Sequence, residues 1–142
     1  MKAILLDTNV LSELMRPQPG QTVVEWFGKR TGVPFYVSAI TQAEILLGIL
    51  LLPAGKRRDT LAAAADGMFS QDFAGKCLPF DARSAATCAA IVSDRRQAGL
   101  AISTEDAQIA AIALTYGYPL ATRNIKDFVQ INGLTLYNPW QT

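Results

Sequence analysis

The sequence predicts an α/β fold, a mostly parallel central sheet with helices on both faces. Two observations carry that prediction. Short apolar or β-branched runs alternate with longer stretches of helical spacing along the chain. The first of those runs, Ala3-Ile4-Leu5-Leu6, stops at Asp7-Thr8-Asn9 and gives way at once to a helical pattern. Strands separated by helices pair in parallel, because each crossover returns the chain to the same end of the sheet. Right-handed crossovers then gather the strand-to-helix turns on one edge. Open α/β sheets build their binding and reacting sites at that edge.

Each element has its own reason. Val10, Leu11, Leu14 and Met15 share a helical spacing from Val10 to about Arg16, and Pro17-Gln18-Pro19-Gly20 breaks it. Thr22 to Lys29, with Val23, Val24, Trp26 and Phe27, reads as a second helix. Phe35-Tyr36-Val37-Ser38 is aromatic and β-branched, bounded by Gly32 and Pro34, and reads as the second strand. Helical spacing resumes from Thr41 through Leu52, and Pro53-Ala54-Gly55 separates it from Lys56-Arg57-Arg58 and an Ala-rich helix from Asp59 to Ser70. Cys77-Leu78-Pro79-Phe80 reads as a short strand at a sheet edge, since proline cannot donate to a ladder. Asp81 caps a long helix, Ala82 to Gln97, closed by Gly99; another runs from Ser103 or Thr104 to Tyr116, closed by Gly117. Pro119 to Thr122 is a fourth strand, Asn124 to Phe128 a helical turn, and Leu134 to Tyr137 the last strand. With no repeat or linker, the 142 residues form one domain.

Composition excludes much of the chemistry a protein can do. Half the residues are apolar, 18% are charged and the net charge is +1, so bulk charge gives no argument for nucleic acid. Cys77 and Cys88 lack metal spacing and read as buried free thiols in a reducing compartment. The greasiest stretch, Ile45 to Leu52, is far short of a membrane span. A cytoplasmic location, with no membrane partner, is the expectation. There is no histidine. That removes Ser-His-Asp and Cys-His nucleophilic catalysis, imidazole acid–base chemistry and His-ligated metals.

What remains is oxygen. Asp7, Glu44, Asp106 and Asn124 fall where strands or loops hand over to helices. Three carboxylates and a carboxamide on one edge repel one another unless a divalent cation sits among them. Oxygen-only ligation suits Mg²⁺ or Mn²⁺, not zinc. Such an ion lowers the pKa of a bound water and stabilises charge on a phosphoryl group, so phosphodiester hydrolysis fits without histidine. Each position also has a plainer reading. Thr41-x-x-Glu44 has the form of a capping box and Ser103-x-x-Asp106 nearly so; Asp7 would cap the helix after it, and Asn124 would be a turn residue. Co-occurrence on one edge of a histidine-free chain favours chemistry at Asp7 and Asp106. Glu25, Asp59, Asp66, Asp72 and Asp94 read as solvated, as does the Lys56-Arg57-Arg58 cluster. Asp127, one turn beyond Asn124, reads as surface although it could complete the site. Trp26 and Trp140 read as packing residues.

Five motifs then share an order and a spacing. Leu5-Leu6-Asp7-Thr8-Asn9-Val10-Leu11-Ser12, Ser38-Ala39-Ile40-Thr41-Gln42-Ala43-Glu44, Asp106-Ala107-Gln108-Ile109-Ala110-Ala111-Ile112-Ala113, Thr122-Arg123-Asn124 and Asn138-Pro139-Trp140 resemble the PIN-domain family. Within it they look most like the VapC toxins and the FitB branch, almost end to end. The resemblance implies a PIN-like three-layer α/β/α fold and a single nuclease domain over residues 1–142. It implies a Mg²⁺-dependent endoribonuclease, with Mn²⁺ able to substitute, acting as the toxin of a type II toxin–antitoxin pair. It further implies a small cognate antitoxin of VapB or FitA type that blocks the site and alone links the toxin to DNA. By position, Asp7 resembles the first metal-binding aspartate, Asp106 the third acid that shares the metal, and Glu44 the family's glutamate. Thr8 and Asn9 match the small polar residues that orient the first aspartate, and Thr122 supports the same edge. Asn124 stands where some relatives have a fourth aspartate, which leaves one charge fewer for a second ion.

A reading of another class stays open. The chain could be an RNA-binding or partner-regulated module with little or no turnover, in which case RNA should bind equally well in chelator. Asp7 as a phosphoryl-accepting nucleophile fits poorly, because Asp7-Thr8-Asn9 lacks a second aspartate two residues on. Finally, the Thr41–Leu52 helix is apolar nearly all round, more than one sheet face should bury. A homodimer interface is expected there; deep burial within the monomer is the alternative.

Overall fold

The computed structural model describes residues 2–141. Its middle layer is five short strands, β1 (Ile4–Leu6), β2 (Phe35–Ser38), β3 (Cys77–Leu78), β4 (Leu120–Ala121) and β5 (Leu136–Tyr137). They lie in the order β3-β2-β1-β4-β5, every neighbouring pair parallel, with Leu5 opposite Tyr36 on one side and Leu120 on the other. Six helices cover the sheet: α1 (Thr8–Leu14), α2 (Gln21–Gly28), α3 (Ala39–Leu50), α4 (Lys56–Gly67), α5 (Ala82–Gln97) and α6 (Thr104–Tyr116). The expected three-layer α/β/α arrangement is what forms.

Alternation along the strands explains the two cores. Ile4 and Leu6 of β1 join Val37 and Ala121 in one core, beneath Val10 and Leu11 of α1, Trp26 of α2, and Ile45 and Ile49 of α3. Leu5 points the other way, with Leu120, against Ile91 of α5 and Ile109 and Ile112 of α6. A strand buried on both faces must be apolar throughout, which is why β1 reads as an unbroken run. From β1 the chain winds outward through β2 to β3. The α5–α6 pair then carries it back to β4, on the opposite side of β1. That reversal sets a topological switch point between the carboxyl ends of β1 and β4.

Local capping decides several boundaries. The spacing predicts a helix from Thr41, but α3 starts at Ala39 because Ser38 is its cap: the Ser38 hydroxyl accepts from the Thr41 N–H at 3.0 Å. The capping-box reading of Thr41 and Glu44 is therefore wrong. At α6 the Ser103 hydroxyl accepts from the Asp106 N–H at 3.1 Å, and Gly117, at φ 71°, ends the helix in the left-handed conformation glycine tolerates. The Ala-rich helix begins at Lys56, not Asp59, and a π-helical turn over Met68–Asp72 replaces its expected end. β3 is an edge strand with Pro79 directly after it, where no ladder bond is lost.

One further correction and one new feature concern polar groups. Cys77 and Cys88 are free but only half-buried, not enclosed, and partial desolvation pushes both thiols up. Arg95 of α5 is buried; its guanidinium donates to the carbonyls of Val129 and Ala101, tying the loop before α6 to the loop after residue 127. Among the described residues no helix is long and apolar enough to cross a membrane.

Candidate active site

Asp7 sits at the switch point, 4% exposed, where β1 ends. Its Oδ1 accepts from the Thr8 N–H at 2.8 Å, which caps α1. Its Oδ2 accepts from the Thr122 hydroxyl at 2.7 Å and the Asn9 amide at 3.3 Å. Asp7 is thus both a helix cap and a cleft residue. Burial pushes its pKa up; the bonds from Thr122 and Thr8 pull the other way, and the nearby Glu44 and Asp127 add to the rise. Thr122, fully buried at the end of β4, also accepts from the Asn124 N–H at 3.1 Å. One hydroxyl so links the β1 and β4 edges.

The other acids arrive from three further elements. Glu44, on α3, is half-buried, and its Oε1 accepts from the Thr8 hydroxyl at 2.6 Å. Thr8 is in turn 2.9 Å from the Thr41 hydroxyl, so this acid faces β1 instead of capping its own helix. Asp106 comes from the first turn of α6. Burial first, then Asp7, with smaller pushes from Asp127 and Glu44, raise its carboxyl to about 6. Asp127 ends a short 3₁₀ turn, Ile125–Asp127, and is half-buried. Its charge adds to the rise at both Asp7 and Asp106, so it stands within electrostatic reach of the site, half-buried and not on the open surface its spacing suggests. A cavity of about 570 Å³ holds Asp7, Thr8, Asn9, Glu44, Asp106 and Asn124 in its walls.

Residues 4–134 match the PIN domain. The chain belongs to the PIN-domain family. It groups with the VapC and FitB toxins: it is 41% identical to the toxin FitB of Neisseria gonorrhoeae over 96% of this chain and 98% of that one. It is 37% identical to a VapC ribonuclease of Sinorhizobium fredii, over 97% of this chain and 98% of the relative. The crystal structure of FitAcB from Neisseria gonorrhoeae superposes with a TM-score of 0.89 at 40% identity, covering 98% of this chain and 99% of that one.

The cleft of this PIN domain contains side chains that sequence reasoning missed. Glu13, Arg16, Arg123 and Trp140 line the same cavity. Glu13 is buried; its two oxygens lie 3.2 Å from the Arg16 guanidinium, and one accepts from the Gly20 N–H at 2.7 Å. That backbone bond, with Arg16 and Arg123, keeps the Glu13 carboxyl below its ordinary range. The signal was present: Asn9, Glu13 and Arg16 stand at i, i+4 and i+7, a polar stripe beginning beside Asp7. Trp140 does pack against the core as expected, but its remaining surface forms part of the cleft wall. Trp26 is buried among Phe27 and Phe35, as a packing residue should be.

Does this donor set fit a divalent cation? Among the described residues the only ion pairs are Arg16–Glu13 and Arg83–Asp81. Asp7, Glu44, Asp106 and Asp127 therefore make no ion pair among the described residues, although Arg16 and Arg123 line the same cavity. Equally, no three acidic, cysteine or histidine side chains among the described residues converge as a ready-made cage. Mg²⁺ and Mn²⁺ suit that arrangement, because such ions bind through one or two carboxylates and keep several waters. The fit is to a two-carboxylate site, open to substrate.

Proposed function

We propose that this cleft hydrolyses RNA phosphodiester bonds with Mg²⁺ or Mn²⁺ held by Asp7 and Asp106, and that a cognate antitoxin of VapB or FitA type blocks it. The chain is an RNA-cleaving toxin of the VapC and FitB group. The observation that carries the mechanism is the meeting of Asp7, Glu44 and Asp106 at the β1–β4 switch point, with the Asp7 and Asp106 carboxyls pushed up and no ion pair made to any of the three among the described residues. A divalent ion held there by Asp7 and Asp106 would supply a nucleophilic water at neutral pH and would offset charge on the phosphoryl group.

The chain's own residues do the rest. Thr122 and the Thr8 N–H fix both oxygens of Asp7, so its carboxylate is aimed before anything binds. Glu44 is anchored through Oε1 to Thr8, which leaves Oε2 to orient the attacking water and take its proton. Asn124 completes the cleft as a neutral donor and acceptor, and the charge of Asp127 is felt at Asp7 and Asp106. The test is Asp7→Asn in the purified protein with structured RNA and Mg²⁺ or Mn²⁺. Cleavage should fall to the level seen in chelator; undiminished cleavage overturns the assignment.

Partners are suggested by the surface beside the site. An apolar groove of about 500 Å³, lined by Met15, Pro17, Ile45, Ile49 and Leu61, shares Ser12 and Arg16 with the acidic cleft. An antitoxin segment with an apolar face, laid in that groove, reaches the acids. FitAB, a structure matched at 40% identity, is bound to a DNA fragment, which supports a link to DNA through the antitoxin. Leu46, Leu47, Leu50 and Leu51, on and just past α3, are 40–75% exposed and support a homodimer. RNA as substrate and a DNA-bound inhibitor both imply work in the cytoplasm.

A further inference from the structure

Resting on that reading of the cleft, we propose that Arg123 grips an RNA phosphate next to the scissile one, with Trp140 and Asn138 as its positioning residues. A polyanion entering a cleft of four acids needs a cation beyond the single ion that two carboxylates hold. Two arginines line the cavity. Arg16 is committed, its NH1 shared between both oxygens of Glu13 at 3.2 Å. Arg123 makes no ion pair among the described residues.

The surroundings of Arg123 are built to hold it. Its N–H donates to Asn9 Oδ1 at 3.2 Å, and its carbonyl accepts from Asn138 Nδ2 at 3.4 Å. Asn138 Oδ1 accepts in turn from the Trp140 N–H at 2.9 Å. The Arg123 guanidinium carbon lies 5.0 Å from the Trp140 ring centroid, within cation–π range. Asn138 thus ties the backbones of both residues, and the guanidinium lies within reach of the indole. A guanidinium held against a ring has less freedom left to lose on binding, and its N–H fork matches phosphate geometry. Asn9 also donates to Asp7, so the residue that fixes the Arg123 backbone fixes the first acid too. The phosphate grip and the reacting centre are therefore held in one register.

The experiment is steady-state cleavage of a single-stranded RNA oligonucleotide by the full chain in Mg²⁺, over a series of monovalent salt concentrations. In Arg123→Met, KM should rise about ten-fold with kcat little changed. Loss of one phosphate contact should make log(1/KM) less steep against log salt by about 0.7 for a single strand. Arg123→Lys keeps the salt slope but not the fork, and Trp140→Phe should hold KM near that of the unsubstituted protein where Trp140→Ala raises it. A merely structural Arg123 would leave the slope alone. If the unsubstituted protein cleaves RNA and Arg123→Met shows the same KM and slope, or loses kcat alone, the grip is refuted and the nuclease reading stands. If the unsubstituted protein shows no metal-dependent cleavage, both fall.

Discussion

Thr122→Val tests the reading of Asp7 with least collateral damage. Valine matches threonine in heavy atoms, so the fully buried site keeps its volume and only the hydroxyl is lost. That hydroxyl donates to Asp7 Oδ2 at 2.7 Å and accepts from the Asn124 N–H at 3.1 Å. A hydrogen bond to a charged group contributes about 1.5–3 kcal/mol, and the Asn124 N–H, at an exposed residue, can turn to water at small cost. The net deficit is about 2 kcal/mol, or about 6–8 °C in Tm for a domain of this size. The bond favours ionised Asp7, so its loss raises a pKa that already lies above the ordinary 3.8. The Tm deficit should accordingly be full above that raised pKa and shrink as the medium is acidified. Supports of this kind typically change metal affinity by about 10–100-fold, so half-maximal cleavage should need at least about ten-fold more Mg²⁺. Thermal melts in chelator at pH 5 and pH 7, with a Mg²⁺ titration of RNA cleavage, read both effects. An unchanged Tm at pH 7 together with an unchanged Mg²⁺ midpoint would refute the reasoning, and Thr122→Ser should restore much of each.

Three other expectations use the same logic. The Asp106 carboxyl is pushed up from 3.8 to about 6, so the folded chain holds that proton more tightly than the unfolded one does. Stability of the metal-free protein should therefore decline as pH rises through about 4 to 6; Asp106→Asn should flatten the decline, and Mg²⁺ should recover Tm above pH 6 only where Asp106 is present. Leu50→Glu, at a residue 62% exposed, should convert a dimer to a monomer in sedimentation without lowering the monomer's helix content. Ser38→Ala removes the cap of α3 and should cost about 1 kcal/mol, read as a Tm lower by about 3–4 °C.

Much of this architecture was legible because its causes are local. The apolar run Ile4–Leu6 stopping at Asp7 is both strand and edge, and Gly117 ends α6 where its left-handed conformation demands. Caps were harder. Ser38 and Thr41 are both good capping residues, and only the backbone path of β2 into α3 chooses Ser38, which frees Glu44 to face Thr8. Glu13 was passed over although its stripe with Asn9 and Arg16 is local; Asp127 and Trp140 were misjudged for a different reason. Both lie far in sequence from Asp7, Glu44 and Asp106, and what brings them near is the switch point, a property of strand order. A spacing of 3.6 cannot report which helix ends share one side of a sheet.

The reversal of strand order also bears on when the toxin can act. The hydroxyl that aims Asp7 comes from Thr122, 115 residues further along the chain, beyond β2, β3 and the α5–α6 crossover. A nascent chain stopped before β4 has three of its strands and Glu44 and Asp106, but neither Thr122 nor Asp127, and no second wall to the cleft. The cleft therefore cannot be complete before β4 and the residues that follow it have been made.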